Sequence, residues 1–276
     1  MNITTLEVIC LVVVAFWLVM RLRSGTEARG PLLLRMLVIA VGAWITEDTC
    51  IRLYGFYFYN REAWGLMVDE VPLLVLLIWP VVVTSTTDLL DTLRIPKQRW
   101  PLLMFGLVVA DAFFIEPAAV DAGLWTWTQP GPFSIPTIGI LGWGLYGAGI
   151  GVVKWRGWKF ASVVVVGPIV CHALLLALWW ALFRHVPLLL SDVALGIVGW
   201  AISLSVVFVI VKKRPPGLRR MVWLRAPAAV FFFSLLAIHG RDADDVGLVI
   251  WCLAFAPPWL AVLICSTTPA EQTATV

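Results

Sequence analysis

The chain has 276 residues, of which 61% are hydrophobic and 13% charged, with a formal net charge of +3; its mean hydropathy is +0.93. Soluble domains carry about 45–50% apolar and about 25% charged residues, so this composition is that of an integral membrane protein. The small, dispersed positive charge excludes a nucleic-acid footprint, and five cysteines without CxxC spacing (Cys10, Cys50, Cys171, Cys252, Cys265) read as buried thiols, with no disulfide or zinc framework.

A transmembrane helix needs about 20 mainly apolar residues. That length predicts spans at about 4–20, 31–50, 71–90, 101–120, 134–153, 160–183, 187–211, 222–238 and 246–265. The eighth is short and holds Arg225 and Pro227, so its alternative is a re-entrant or interfacial segment. The fold class is therefore all-α, a polytopic helical bundle of eight or nine spans forming one domain over 1–265, followed by a small, polar, disordered tail over 266–276. No fixed-period repeat indicates a solenoid or an inverted-repeat transporter.

The first span lacks a basic start, and Arg21 and Arg23 follow it, as in a retained anchor with its N-terminus outside. Sixteen of the twenty basic residues fall in the odd-numbered loops, among them Arg29, Arg35, Arg94, Lys97, Arg99, Lys154, Arg156, Lys159, Lys212, Lys213, Arg214 and Arg225. The even loops hold Arg52, Arg61, Arg184 and Arg241, so the positive-inside rule makes the odd loops cytoplasmic. A bacterial cytoplasmic membrane is the expected location.

The acids separate from the bases. Glu47 and Asp48 close the second span, Asp69 and Glu70 open the third, Asp111, Glu116 and Asp121 lie along the outer half of the fourth, and Asp192 is in the first outer turns of the seventh. Ionisable groups inside a bilayer are functional candidates by default. A carboxyl desolvated among Leu, Val and Phe keeps its proton to higher pH and serves as a proton donor. For Asp48, Asp69 and Asp121, at helix ends, capping or solvation is the simpler role. Asp88 and Asp91 beside Arg94 and Lys97 read as a surface charge cluster. His172 stands alone next to Cys171, so a core histidine is favoured, and no metal-ligand pattern appears. Gly142-Trp143-Gly144 and the following glycines fit close helix packing.

Sixteen tryptophans include interface anchors such as Trp100, Trp155 and Trp158. Others follow the acids: Tyr54 to Tyr59 and Trp64 after Glu47, Trp125 and Trp127 after Glu116. A neutral acid beside aromatic faces suits protonation of a trisubstituted alkene, the tertiary cation gaining about 2 kcal/mol or more from a desolvated π face. Water capture then gives an alcohol; loss of a proton gives an isomer or a cyclised product.

Two stretches carry a resemblance. Glu47 to Trp79, with Gly55, Tyr57, Tyr59, Val71 and Pro72, is similar to the pattern of an acid, then G-x-Y-x-Y, then a V-P helix start in bisanhydrobacterioruberin hydratases and the related cyanobacterial (CruF-type) carotenoid hydratases. Asp111 to Trp143, with Glu116, Pro117, Ala119, Gly123, Trp125, Trp127, Phe133, Ile135, Pro136 and Gly142, resembles their second pattern. Glu116 replaces an Asp there, and Gly139 lies where that family tends to carry Asn. The resemblance implies a cofactor-independent hydratase of the lyase class, with no metal. It would add water to the terminal C1,C2 double bond of an acyclic carotenoid of lycopene or bacterioruberin type. Asp111 or Glu116 is expected as general acid, with Glu47 as its partner, while Tyr57, Tyr59, Trp79, Trp125, Trp127 and Trp143 line the substrate pocket. Implied partners are the hydrophobic carotenoid, the bilayer and other enzymes of carotenoid biosynthesis. The alternatives are a carotenoid cyclase or isomerase using the same cation, and a non-enzymatic transporter or carotenoid-binding protein.

Overall fold

The structure, a computed structural model, describes residues 3–23, 27–153, 158–185, 192–214, 217–239 and 246–265. The expected tail at 266–276, with Lys154, Arg156 and Arg241, lies outside the described residues. The helices are α1 (Ile3–Arg23), α2 (Arg29–Thr49), α3 (Leu73–Thr92), α4 (Trp100–Asp121), α5 (Thr137–Val152), α6 (Val163–Leu178), α7 (Asp192–Lys213), α8 (Leu218–His239), α9 (Val246–Leu253) and α10 (Ala256–Cys265). A turn at Ala254 and Phe255 separates the last two.

Seven helical stretches among the described residues are long and apolar enough to cross a membrane, and α9 with α10 makes one of them. The eighth expected span belongs to this set. α8 runs unbroken through Pro227 for 22 residues, because it starts at Leu218 and so gains a full turn before the proline. α5, at 16 residues, rises about 24 Å at 1.5 Å per residue, less than the ~30 Å hydrocarbon core. It is wedged between α4 and α6. A Cβ at Gly149 would lie 3.0 Å from the Gly167 backbone of α6, and one at Gly151 2.9 Å from Pro101 of α4. The small residues therefore do serve close helix packing.

Two helix ends shape the rest. α2 continues into a π-helical turn, Cys50–Tyr54, which Gly55 ends in the left-handed conformation at φ 60°. α4 ends in a Schellman motif: Gly123, at φ 72°, donates to Val120 O at 2.9 Å and Leu124 donates to Ala119 O at 2.9 Å. Such turns favour glycine because a Cβ is strained there. Two residues beyond each glycine a short strand begins, β1 (Tyr57–Tyr59) and β4 (Trp125–Trp127). They pair antiparallel, Tyr57 opposite Trp127 and Tyr59 opposite Trp125. A second hairpin joins β2 (Met67–Val68) to β3 (Val71–Pro72), just before α3.

Candidate active site

Strand periodicity explains the two aromatic motifs. Side chains alternate across a strand, so Tyr57 and Tyr59 turn inward and are buried while Phe58 between them is 52% exposed. Trp125 and Trp127 face the same way, with Thr126 exposed. The ribbon thus hangs four polar-tipped rings over the bundle, between the ends of α2 and α4.

Beneath it lie two buried glutamates. Glu47, 8% exposed on the last turn of α2, accepts hydrogen bonds from the Tyr57 hydroxyl at 3.0 Å and from the Tyr59 hydroxyl on Oε2, and from Trp79 Nε1 of α3 on Oε1. Glu116, 2% exposed on α4, accepts Trp125 Nε1 at 2.8 Å and Trp127 Nε1 at 2.9 Å on Oε2. Trp143 Nε1 of α5 completes the set at 2.6 Å on Oε1. Each carboxyl therefore has three aromatic donors, a number that satisfies most of its lone pairs away from water. Burial pushes both phenols, Tyr57 and Tyr59, well above their ordinary value of 10, which keeps them neutral and able to donate.

The donors also hold one another. Tyr57 meets Trp127 at 4.7 Å between ring centroids, Tyr59 meets Trp125 at 5.6 Å, and Trp79 stacks on Trp143 at 4.5 Å. Every ring bound to Glu47 touches a ring bound to Glu116. The two carboxyls border one cavity, partly open to the surroundings. Its other walls are apolar or small: Phe56, Ile138, Gly139, Gly142, Cys171 and Leu175.

The cavity gathers Glu47, Glu116 and all six expected aromatics, but Asp111 is not among its lining residues. Asp111 pairs with Arg225 of α8, whose guanidinium also lies 5.1 Å from the Trp259 ring centroid. The early start of α8 carries Arg225 about two turns into the helix, within reach of α4. Asp48 and Asp69 each meet Arg52 at 2.9 Å and Glu70 meets Arg61 at 2.7 Å, all apart from the cavity. Asp88 is not in a surface cluster; it bonds the buried Arg21 of α1 at 2.8 Å, while Asp91 bonds exposed Lys97 at 2.8 Å. The Asp192 side chain lies outside the described residues. His172 packs edge-on to Tyr54, and no group of three or more metal-ligating side chains exists among the described residues.

Tyr146 also lines the cavity, its hydroxyl donating to Ile39 O at 2.8 Å. Sequence reasoning missed it, although Gly139, Gly142, Trp143 and Tyr146 follow the i, i+3, i+4, i+7 spacing of one helix face.

Fold and site together define a polytopic membrane protein with a buried pair of aromatic-bound carboxyls. The chain belongs to the family described as carotenoid biosynthesis protein, whose model matches residues 4–211, and its role is in carotenoid biosynthesis. The matched region contains every residue of the cavity. No curated protein and no solved structure matches the chain.

Proposed function

We propose that the protein hydrates the terminal C1,C2 double bond of an acyclic carotenoid, of lycopene or bacterioruberin type, without a cofactor. One observation carries this reading: two buried carboxyls, each with three aromatic donors, share a cavity whose remaining walls are mostly apolar, the Thr46 and Tyr146 hydroxyls there being bonded to backbone carbonyls. Acid-catalysed hydration needs a proton donor, a group that takes a proton from water, and a surface that tolerates a cation.

The partners of the two acids divide these tasks. Indole N–H groups only donate, so three of them around Glu116 favour its anion. Phenol oxygens accept as well as donate, so Tyr57 and Tyr59 accommodate a protonated Glu47. Glu47, rather than the Asp111 or Glu116 expected from sequence, therefore gives its proton to C2, and positive charge develops at the tertiary C1 beside the aromatic rings that line the cavity. Water attacks C1 and yields a proton to Glu116, and transfer of that proton back to Glu47 resets the pair. The net change is addition of one water. Asp111 takes no part, since its partner is Arg225. The site faces outward from a bacterial cytoplasmic membrane, a placement supported by the bases concentrated in the odd loops.

The test is expression in bacteria that accumulate lycopene or a bacterioruberin precursor, with mass analysis of the pigments. A gain of one water per reacted end is expected, lost in Glu47→Gln and Glu116→Gln at unchanged protein level. Products of altered retention but unaltered mass indicate cyclisation or isomerisation, and unchanged pigments in both hosts overturn the enzyme.

A further inference from the structure

We infer that the carotenoid chain leaves the cavity across Gly142, and that the missing side chain there sets which substrates the site admits. This rests on the proposed function for the identity of the ligand. The geometry locates the mouth. Among the lining residues only Trp127, Gly142 and Trp143 are partly exposed, and all the others are buried. The opening therefore lies on α5, between the two tryptophans and α6.

Two glycines shape that opening differently. A Cβ at Gly139 would meet the Trp127 indole at 2.6 Å, so the ring packs close against the helix there, held also by its bond to Glu116. At Gly142 a Cβ would meet only Leu175 Cδ1, at 3.3 Å, the movable end of a flexible side chain. Gly139 is filled by the protein itself, whereas at Gly142 the single close neighbour is that movable methyl, which has to shift before any side chain fits. α6, which supplies Leu175 and Cys171 to this wall, is apolar and carries exposed Val165, Ile169 and Leu174 around its circumference, a helix suited to contact with lipid and with a polyene. The carboxyl end of the cavity is closed by the ribbon, so one end group enters and the rest of the chain stays outside.

The experiment measures binding and conversion with purified protein in lipid nanodiscs, using lycopene and a short acyclic isoprenoid with the same trisubstituted end group. Gly142→Leu should weaken lycopene binding and conversion at least about tenfold, the scale of a misfitted hydrocarbon group. The short isoprenoid should remain within about threefold of wild type. Leu175→Ala added to Gly142→Leu should restore lycopene binding, with unfolding temperature and membrane abundance as controls. Equal losses for both ligands, or none for lycopene, overturn the inference. If wild-type protein binds lycopene in a Gly142-dependent way without adding water, the hydratase reading falls and the mouth stands. If it binds neither lycopene nor a bacterioruberin precursor, both fall.

Discussion

Tyr57 sits directly opposite Trp127 in the ribbon, ring centroids 4.7 Å apart, yet their polar tips bond different carboxyls, Glu47 and Glu116. The two acids are thereby linked through a ring contact.

Removing single donors tests that coupling. Tyr59→Phe and Trp127→Phe each leave a buried carboxyl short of one hydrogen bond, at a cost of about 1–3 kcal/mol. Thermal unfolding should register that loss, and pigment conversion should fall in both variants by up to about 100-fold, the low end of what a positioned acid or base contributes. Unchanged conversion in both would separate the aromatic cage from the chemistry.

Alkaline pH should destabilise the protein through the same tyrosines. Both phenols bind their proton more tightly in the folded state than the ordinary value of 10, so the stability they contribute is complete below pH 10 and declines as pH rises past it toward their folded values. Unfolding temperatures measured across that range should drop, and the Tyr57→Phe/Tyr59→Phe pair should flatten the drop. An ultraviolet titration in which both phenols ionise at their ordinary value would contradict this.

Asp111 and Arg225 should behave as a structural pair. Their side chains are 15% and 18% exposed, and stranding one partner of a fully buried pair costs about 3–5 kcal/mol. Discounted for partial exposure, Asp111→Asn should cost roughly 1–3 kcal/mol, with activity per folded molecule kept. Adding Arg225→Met should recover most of the unfolding temperature. Loss of conversion at full stability would instead return Asp111 to the active site.

Gly55 and Gly123 should be sensitive to the smallest substitution. Each holds a positive φ with open space where a Cβ would go, so alanine brings strain of about 1–2 kcal/mol rather than a clash. Both variants should lower stability and conversion together, because both glycines aim a strand. Gly30→Ala, also in open space but in ordinary helix, is the control and should be neutral or stabilising.

Helix positions were legible from apolar run length, and the carboxyl pair from acids followed by alternating aromatics. The role of Asp111 was not, since its partner lies 114 residues away in sequence. A clue was present: five residues separate it from Glu116, roughly 140° around a helix, so the two could not readily face one cavity. The aromatics were legible as pocket walls, but not as donors. For four of the six, the pairing of β1 with β4 aims the N–H and O–H groups at the acids, while Trp79 and Trp143 are aimed by α3 and α5, and nothing in either motif states that the two segments meet. The π-helical turn at Cys50–Tyr54 likewise left no periodic signal.

The ribbon has a consequence for how the reactants meet. A two-stranded ribbon leaves outward-facing backbone groups on each edge, and hydrocarbon cannot satisfy them. The roof over Glu47 and Glu116 must therefore border water or other protein groups, whereas the opening at Gly142 lies against α6, an apolar and largely exposed helix. On the proposed hydration, one reactant is soluble only above the site and the other only beside it. The protein would then work as a phase-boundary reactor, with separate supply routes for water and alkene that converge on a single pair of carboxyls.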